Sequence, residues 1–495
     1  MKILYLSTLF IYTSIGLQAS TILDQSIQRA PVAATVRQGS SLCGEEIKAL
    51  YQRFDKTKNR LSSLLGKRIS SQHVPFTAIA GSGGSHRAMV CTLGLLDALD
   101  QTGILDAVHY MGGVSGSTWT MASWLAHDCS LSNLKSFLRA RVTSNEGIMA
   151  YDIKAIATMI YTKIKRKQPV TLADIWGSIV THQFLVDLPG SGHQVYFSDL
   201  APLIKTGRYP LPIFTAVRDH SNPYEWFEFT PFECGSIDKH VWIPTKSFGN
   251  RFKDGVSYED YPEQSLGFMI GISSSAYAAN VKEIIRAILS RLAPLFDNKD
   301  QRDEFKNIIS FLFDEFMDLQ VSPPKIHNFA KNMSGISYAS KDYLTLIDAG
   351  CDFNLPFPPL LRRSINLYIV CDGSNSANVG NKYHPLHGVE RYAHDNGYKF
   401  PVINYSSIGD EVSVFYDPND ASVPTIIYFP NQLNFSTFKP NYSVEEFNQL
   451  YASMRDTVLK HQGLIMEHIA RVTNNLIQNR THHQFKNIFD HLEKN

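Results

Sequence analysis

The sequence predicts an α/β domain with a parallel or mixed sheet, and three observations carry that prediction. A β-type run ending in glycines and followed by a helical pattern occurs at residues 74–99 and again at 107–127. Strand, tight turn and helix in repeated succession build a sheet covered by helices. Two later β-type runs, 343–347 and 365–371, each lead into an aspartate and a glycine turn.

The composition supports a packed domain. Of 495 residues, 44% are hydrophobic and 19% charged, which a core needs and a disordered chain lacks. Lys and Arg (47) almost balance Asp and Glu (46), so the net charge of +1 offers no basic face for nucleic acid. Six cysteines without a C-x-x-C pair give neither a disulfide scaffold nor a structural zinc site, and no metal or other cofactor is expected.

Taken in order, Lys2 precedes an apolar run at 3–17 that ends in Gln18-Ala19-Ser20, the pattern of a signal peptide over residues 1–20. The run is shorter than the ~20 residues that span a bilayer. A secreted or periplasmic protein is expected, in which oxidised pairs among the cysteines are permitted. Residues 21–43 read as a polar leader. Residues 44–66 carry helical apolar spacing (Ile47, Leu50, Tyr51, Phe54). Then come strand 74–80, helix 87–99, strand 107–111 and helix 118–127. The stretch 130–340 carries long helical patterns and is long enough to hold a cap inserted into the core. From Ser443 to the C-terminus the pattern is helical.

Gly113-Val114-Ser115-Gly116-Ser117 sits between a strand and a helix. A serine there projects from a strained turn at the positive end of the following helix, which favours an attacking alkoxide. The motif resembles the G-x-S-x-G nucleophile elbow except at its last position, where Ser117 replaces glycine. The plainer reading is a strand–helix turn with Ser117 or Thr118 as N-cap. Gly81-Ser82-Gly83-Gly84-Ser85-His86-Arg87 lies between the preceding strand and helix. Its consecutive N–H groups suit an oxyanion or a phosphate, whereas the nucleotide-loop pattern is missing. A serine nucleophile needs a base. Asp348 and Asp372 both qualify at strand ends, and a triad would draw on His384 or His387.

With these blocks in view, the chain resembles the cytosolic (group IV) phospholipase A2 and lysophospholipase catalytic domain. The resemblance rests on Gly83-Gly84-Ser85-His86-Arg87-Ala88-Met89, Gly113-Val114-Ser115-Gly116-Ser117-Thr118-Trp119, the Gln168–Gly177 and Trp226–Glu233 segments, and Asp348-Ala349-Gly350 through Asn354-Leu355-Pro356-Phe357-Pro358. It implies a patatin-like α/β core with a central mixed sheet, helices on both faces and a cap inserted between the Ser115 and Asp348 motifs, the catalytic domain filling 44–495. It further implies Ser115 as nucleophile, Asp348 as base in a Ser–Asp dyad, Gly83 and Gly84 as oxyanion donors, and Arg87 as the holder of the substrate phosphate. Arg362 and Arg363 fall where the family carries head-group arginines. The substrate would be a phospholipid or lysophospholipid at a membrane or micelle surface. No C2 module precedes the match, so no calcium requirement is expected. Lys163-Ile164-Lys165-Arg166-Lys167 suits contact with anionic lipid or a solvated helix end. Two departures stand out: Ser85 replaces the family's third glycine, and alanine follows Asp348. Two rivals stay open, a Ser–His–Asp lipase or esterase and an inactive lipid-binding protein.

Overall fold

The computed structural model describes residues 33–145, 168–258, 261, 263–276, 324–374, 384–409, 411–437, 439 and 441–478, with 151, 152, 155, 156, 159 and 163 between the first two stretches. The signal segment and all of the basic run except Lys163 lie outside the described residues.

The elements follow the anticipated succession. A short strand β1 (Arg37–Gln38) precedes α1 (Gly44–Leu64), β2 (Thr77–Gly81), α2 (Ser85–Gln101), β3 (Tyr110–Gly113), α3 (Gly116–His127), α4 (Leu131–Val142) and α5 (Leu172–Phe184). Four strands then come in a row: β4 (Leu211–Arg218), β5 (Glu225–Phe229), β6 (Glu233–Ser236) and β7 (Val241–Pro244). After α6 (Leu266–Ser273) lie β8 (Lys325–His327), β9 (Tyr343–Asp348) and β10 (Leu367–Asp372). The chain continues through α7 (Pro385–Asp395), β11 (Ser413–Phe415), β12 (Thr425–Pro430), α8 (Val444–Lys460) and α9 (Gln462–Gln478). The C-terminal pattern is thus two helices broken at His461. Ser443 and Glu446 cap the first of them reciprocally, each side chain accepting the other residue's backbone N–H.

The strands form one mixed sheet of twelve in the order β1-β7-β6-β5-β4-β3-β2-β10-β12-β11, with β9 joined to β4 and β8 to β9. The run β4-β3-β2-β10-β12 is parallel, and the flanks are antiparallel. Every residue of β2, β10 and β12 is buried, so helices cover the sheet on both faces. Five of the strands, β4 to β8, lie between the Ser115 motif and β9, so much of the 130–340 stretch builds the sheet itself. The aromatic residues of β5 (Glu225-Trp226-Phe227-Glu228-Phe229) suit a buried strand.

One detail of register sets up the site. On one edge of β4, residues 214–218 pair with β5. The other edge is shared: β3 pairs in parallel up to Gly113 opposite Phe214, and β9 arrives antiparallel to finish with Asp348 opposite Ala216. Two strands therefore meet head-on in one lane, and Thr215 between them donates its hydroxyl to the Gly113 carbonyl at 2.9 Å.

Candidate active site

Ser115 follows β3 by two residues and occupies the N-cap position of α3 with φ 48° and ψ −118°. A left-handed φ on a residue with a side chain is strained and is held here by its surroundings. Ser115 is 8% exposed. The glycine that this turn requires is Gly116. A Cβ there would lie 2.0 Å from the Ser85 carbonyl oxygen, because the glycine loop crosses directly over it. Ser117 is fully buried; its hydroxyl donates to the Ser82 carbonyl and meets Thr92 Oγ1 at 2.9 Å. The departure from G-x-S-x-G therefore ties the nucleophile turn to the glycine loop.

Asp348 ends β9 and is buried. The Gly350 N–H donates to its carboxylate at 2.8 Å, and the Ser115 hydroxyl and the Ala276 N–H lie close enough to lower its pKa. Its own N–H donates to Ser275 Oγ at 3.0 Å. Burial raises the pKa of Asp348 to about 6, and the three donors only partly offset that rise. A carboxylate with a raised pKa, beside a serine hydroxyl on a strained turn, can take that hydroxyl's proton. Residues 275 and 276 carry no motif, and only the fold brings them to the base.

The glycine loop leads from β2 into α2. Gly83 does not offer a free donor: its N–H bonds the Asn354 carbonyl at 3.2 Å, and the Asn354 amide oxygen fills the space beside its Cα. This corrects the expected pair. Gly84, at φ 133°, and Ser85, the first residue of α2, are the loop residues whose N–H groups have no acceptor among the described residues. First-turn N–H groups of a helix lack intrahelical partners and carry its positive end. Ser85 is itself left-handed, at φ 54°.

Arg87 is buried, with Nε donating to the Gly373 carbonyl (2.7 Å) and Nη1 to that of Phe435 (2.6 Å), while Nη2 has no partner among the described residues. Burial lowers its pKa, and among the described residues no carboxylate pairs with it. The neighbouring His86 packs edge-on against Trp119, Phe184 and Tyr442; burial pulls it down to about 4, so it is neutral at pH 7.

The other candidates go elsewhere. Asp372 accepts from Tyr428 and from the Ser374 N–H, and His384 Nε2 lies 3.3 Å from that tyrosine's hydroxyl. His387 stacks on Tyr405. Among the described residues no histidine bonds Ser115 or Asp348. Arg363, expected at a head group, is fully buried between Glu46 and Glu228, and Arg362 caps Glu228 and lies over Trp242. Lys163, read as meeting anionic lipid or as part of a solvated helix end, does neither and is buried in an ion pair with Asp174. All six cysteines are free thiols. Among the described residues no three metal-ligating side chains converge on one point.

Comparison with known proteins agrees with the resemblance seen in the sequence blocks. The model of the family described as lysophospholipase catalytic domain matches residues 77–394, more than half of the chain. Mouse (Mus musculus) cytosolic phospholipase A2 gamma is 32% identical over 251 residues, covering 49% of this chain and 40% of that protein. Mouse cytosolic phospholipase A2 zeta is 25% identical over 468 residues, covering 80% of this chain and 54% of that protein. The chain thus spans about half, or less, of the length of these relatives. Among solved structures, human GIVD cytosolic phospholipase A2 superposes with a TM-score of 0.74 at 20% identity, over 89% of this chain and 68% of that one. The same protein in complex with methyl gamma-linolenyl fluorophosphonate gives 0.69 at 21% identity, over 90% and 67%. At that identity the likeness shows a shared fold, the patatin-like α/β core.

Proposed function

This chain belongs to the lysophospholipase catalytic-domain family, and we propose that it is a secreted serine hydrolase that releases fatty acid from phospholipids or lysophospholipids through a Ser115–Asp348 dyad. The observation that carries the reading is the placement of Ser115, on its strained turn, against the buried Asp348 carboxylate, whose pKa the Ser115 hydroxyl lowers.

Asp348 takes the Ser115 proton as Oγ attacks the acyl carbonyl. The N–H groups of Gly84 and Ser85 receive the oxyanion, which has most need of them in the transition state. The carbonyl re-forms, the C–O bond to the glycerol oxygen breaks, and that oxygen leaves with the proton from Asp348. Asp348 then deprotonates a water molecule, which attacks the acyl-serine; fatty acid departs and Ser115 regains its proton. Arg87 supports a phosphate-bearing substrate, because a buried guanidinium without a carboxylate partner and with a spare donor suits an anion. The substrate would be drawn from a membrane or micelle surface, and no step calls for a metal. Secretion rests on Lys2 and the apolar run 3–17.

The test is fatty-acid release from phosphatidylcholine and lysophosphatidylcholine, with chelator present, by wild type, Ser115→Ala, Asp348→Asn and His384→Ala. Release that is lost with the first two changes and kept with the third supports the dyad. Loss with His384→Ala would favour a triad, and no wild-type release on either lipid would sink the enzyme reading. Cell fractionation and sequencing of the mature N-terminus check the export step.

A further inference from the structure

The hydroxyls around the nucleophile turn are nearly all committed. Ser82 Oγ donates to the Gly83 carbonyl and accepts the Gly373 N–H at 2.8 Å. Ser117 and Thr92 bond each other, and Ser117 also reaches the Ser82 carbonyl. Thr118 Oγ1 donates to the Ser115 carbonyl, and Thr215 to that of Gly113. Ser85 is the exception: it is 6% exposed, and its Oγ is buried without a hydrogen-bond partner among the described residues.

Two separate costs meet at this one residue. A buried hydroxyl with no partner has lost its water and gained nothing in exchange. A left-handed φ of 54° is one that glycine adopts freely and serine does not. Gly84 beside it, at φ 133°, marks this loop as one where the backbone uses such freedom. The place is also particular. Ser85 N and O would stand 2.9 and 2.0 Å from a Cβ on Gly116, the residue next to Ser115. The Ser85 backbone therefore packs directly against the Ser115–Gly116 turn, and its side chain branches from that contact.

We propose that Ser85 Oγ is a third oxyanion donor, joining the N–H groups of Gly84 and of Ser85 itself on the acyl oxygen of the tetrahedral intermediate. This rests on the Ser115–Asp348 hydrolase reading. In the free enzyme the hydroxyl has no partner, and the negative oxygen that forms when Ser115 attacks supplies one. A donor that is unsatisfied in the ground state and satisfied in the transition state accelerates the chemical step instead of tightening substrate binding. The hydroxyl that crowds a glycine position is thereby put to use in the hole it narrows.

The experiment measures kcat and KM for fatty-acid release by wild type, Ser85→Ala, Ser85→Gly and Ser115→Ala, together with the Tm of each. Removing one oxyanion donor typically slows turnover by about 10²–10³-fold, and for a rotating hydroxyl we expect a loss of roughly 10–100-fold. Both Ser85 variants are expected to lose kcat with KM within about twofold. Ser85→Gly is also expected to melt above wild type, since it relieves the left-handed backbone and the orphaned hydroxyl together. Loss of rate with gain of stability is a pattern that a purely structural serine does not produce. Either variant turning over at the wild-type rate overturns the proposal, as does a Ser85→Gly enzyme that recovers what Ser85→Ala loses, because side-chain bulk is then the cause. A wild type whose release persists in Ser115→Ala overturns the hydrolase reading and this proposal together. Ser115-dependent release with unimpaired Ser85 variants overturns this proposal alone.

Discussion

Gly113 and Asp348 lie in the same lane of the sheet, opposite Phe214 and Ala216 of the one strand β4. The strand that delivers the nucleophile runs up that lane and stops, and the strand that delivers the base comes down it and stops. Their separation is fixed by the backbone ladder of β4, two residues along, so the dyad does not depend on the conformation of a long loop. Sites held on strands are positioned more tightly than sites held on loops.

Asp348 links activity and stability to pH with opposite signs. Its folded pKa of about 6 lies above the ordinary aspartate value of 3.8. The group therefore contributes stability that is fully present below pH 3.8 and lost as pH rises through about 6. At ~1.4 kcal/mol per unit this amounts to about 3 kcal/mol. Activity, which needs the ionised base, rises over the same window. Asp348→Asn is expected to be inactive yet to melt above wild type at pH 8, the difference closing near pH 4. Melting curves across pH, set beside the kcat/KM profile, check this; an Asn variant no more stable at pH 8, or a rate limb near pH 4, contradicts it.

Gly116 admits no side chain. The obstacle at 2.0 Å is the Ser85 carbonyl, a backbone atom that cannot swing aside. Gly116→Ala must push the glycine loop off the nucleophile turn, and displacement of a reacting geometry by about 1 Å costs on the order of 10²-fold. A drop of that size in kcat is expected, with circular dichroism near that of wild type. An alanine variant within threefold of wild type would show that the loop and the turn are not in the contact described.

Arg363 is a structural cation. Its guanidinium bonds both carboxylate oxygens of Glu46 (2.8 and 3.0 Å) and both of Glu228 (2.8 and 2.9 Å), tying α1 to β5 with full burial. Burial pushes Glu228 up, but Arg362 and Arg363 together hold it below the usual carboxylate range. Arg363→Leu strands Glu46 without a cation, and breaking a buried pair costs about 3–5 kcal/mol. Adding Glu46→Gln to Arg363→Leu is expected to recover part of that loss in urea melts. A single variant costing under about 1 kcal/mol would contradict the network.

The strand–turn–helix units and both motif turns were legible because glycine, short β-type runs and helical spacing are local signals. Asp348 could be told from Asp372 only by resemblance, since both end strands at the sheet's carboxyl edge. The lane shared by β3 and β9 depends on pairing with β4, and no single stretch encodes it. Gly83 was misread because its N–H is taken by Asn354, far along the chain. The buried pairs of Arg362, Arg363 and Lys163 escaped the sequence for a related reason: a cation in sequence, whether read toward a head group, lipid or solvent, does not show that an acid waits for it inside the fold. The break at His461 was passed over although Gly463 stands two residues on, because a single glycine inside a helical pattern is also tolerated.

Arg87 is a cation of the opposite kind, and it can be separated from the others by choice of substrate. Two of its nitrogens hold the Gly373 and Phe435 carbonyls, so it stitches the loops beside the site whatever the substrate. Only Nη2 is spare. If that donor and the buried charge serve a phosphate, Arg87→Met should lower kcat/KM on lysophosphatidylcholine at least about tenfold more than on a neutral short-chain ester, a hydrogen bond to a charged group being worth roughly 1.5–3 kcal/mol. Arg87→Lys should fall between, because an ammonium keeps the charge but lacks the planar fork that spans two carbonyls and an anion. Equal losses on both substrates would assign Arg87 to the scaffold, like Arg363, and leave the phosphate to be held elsewhere.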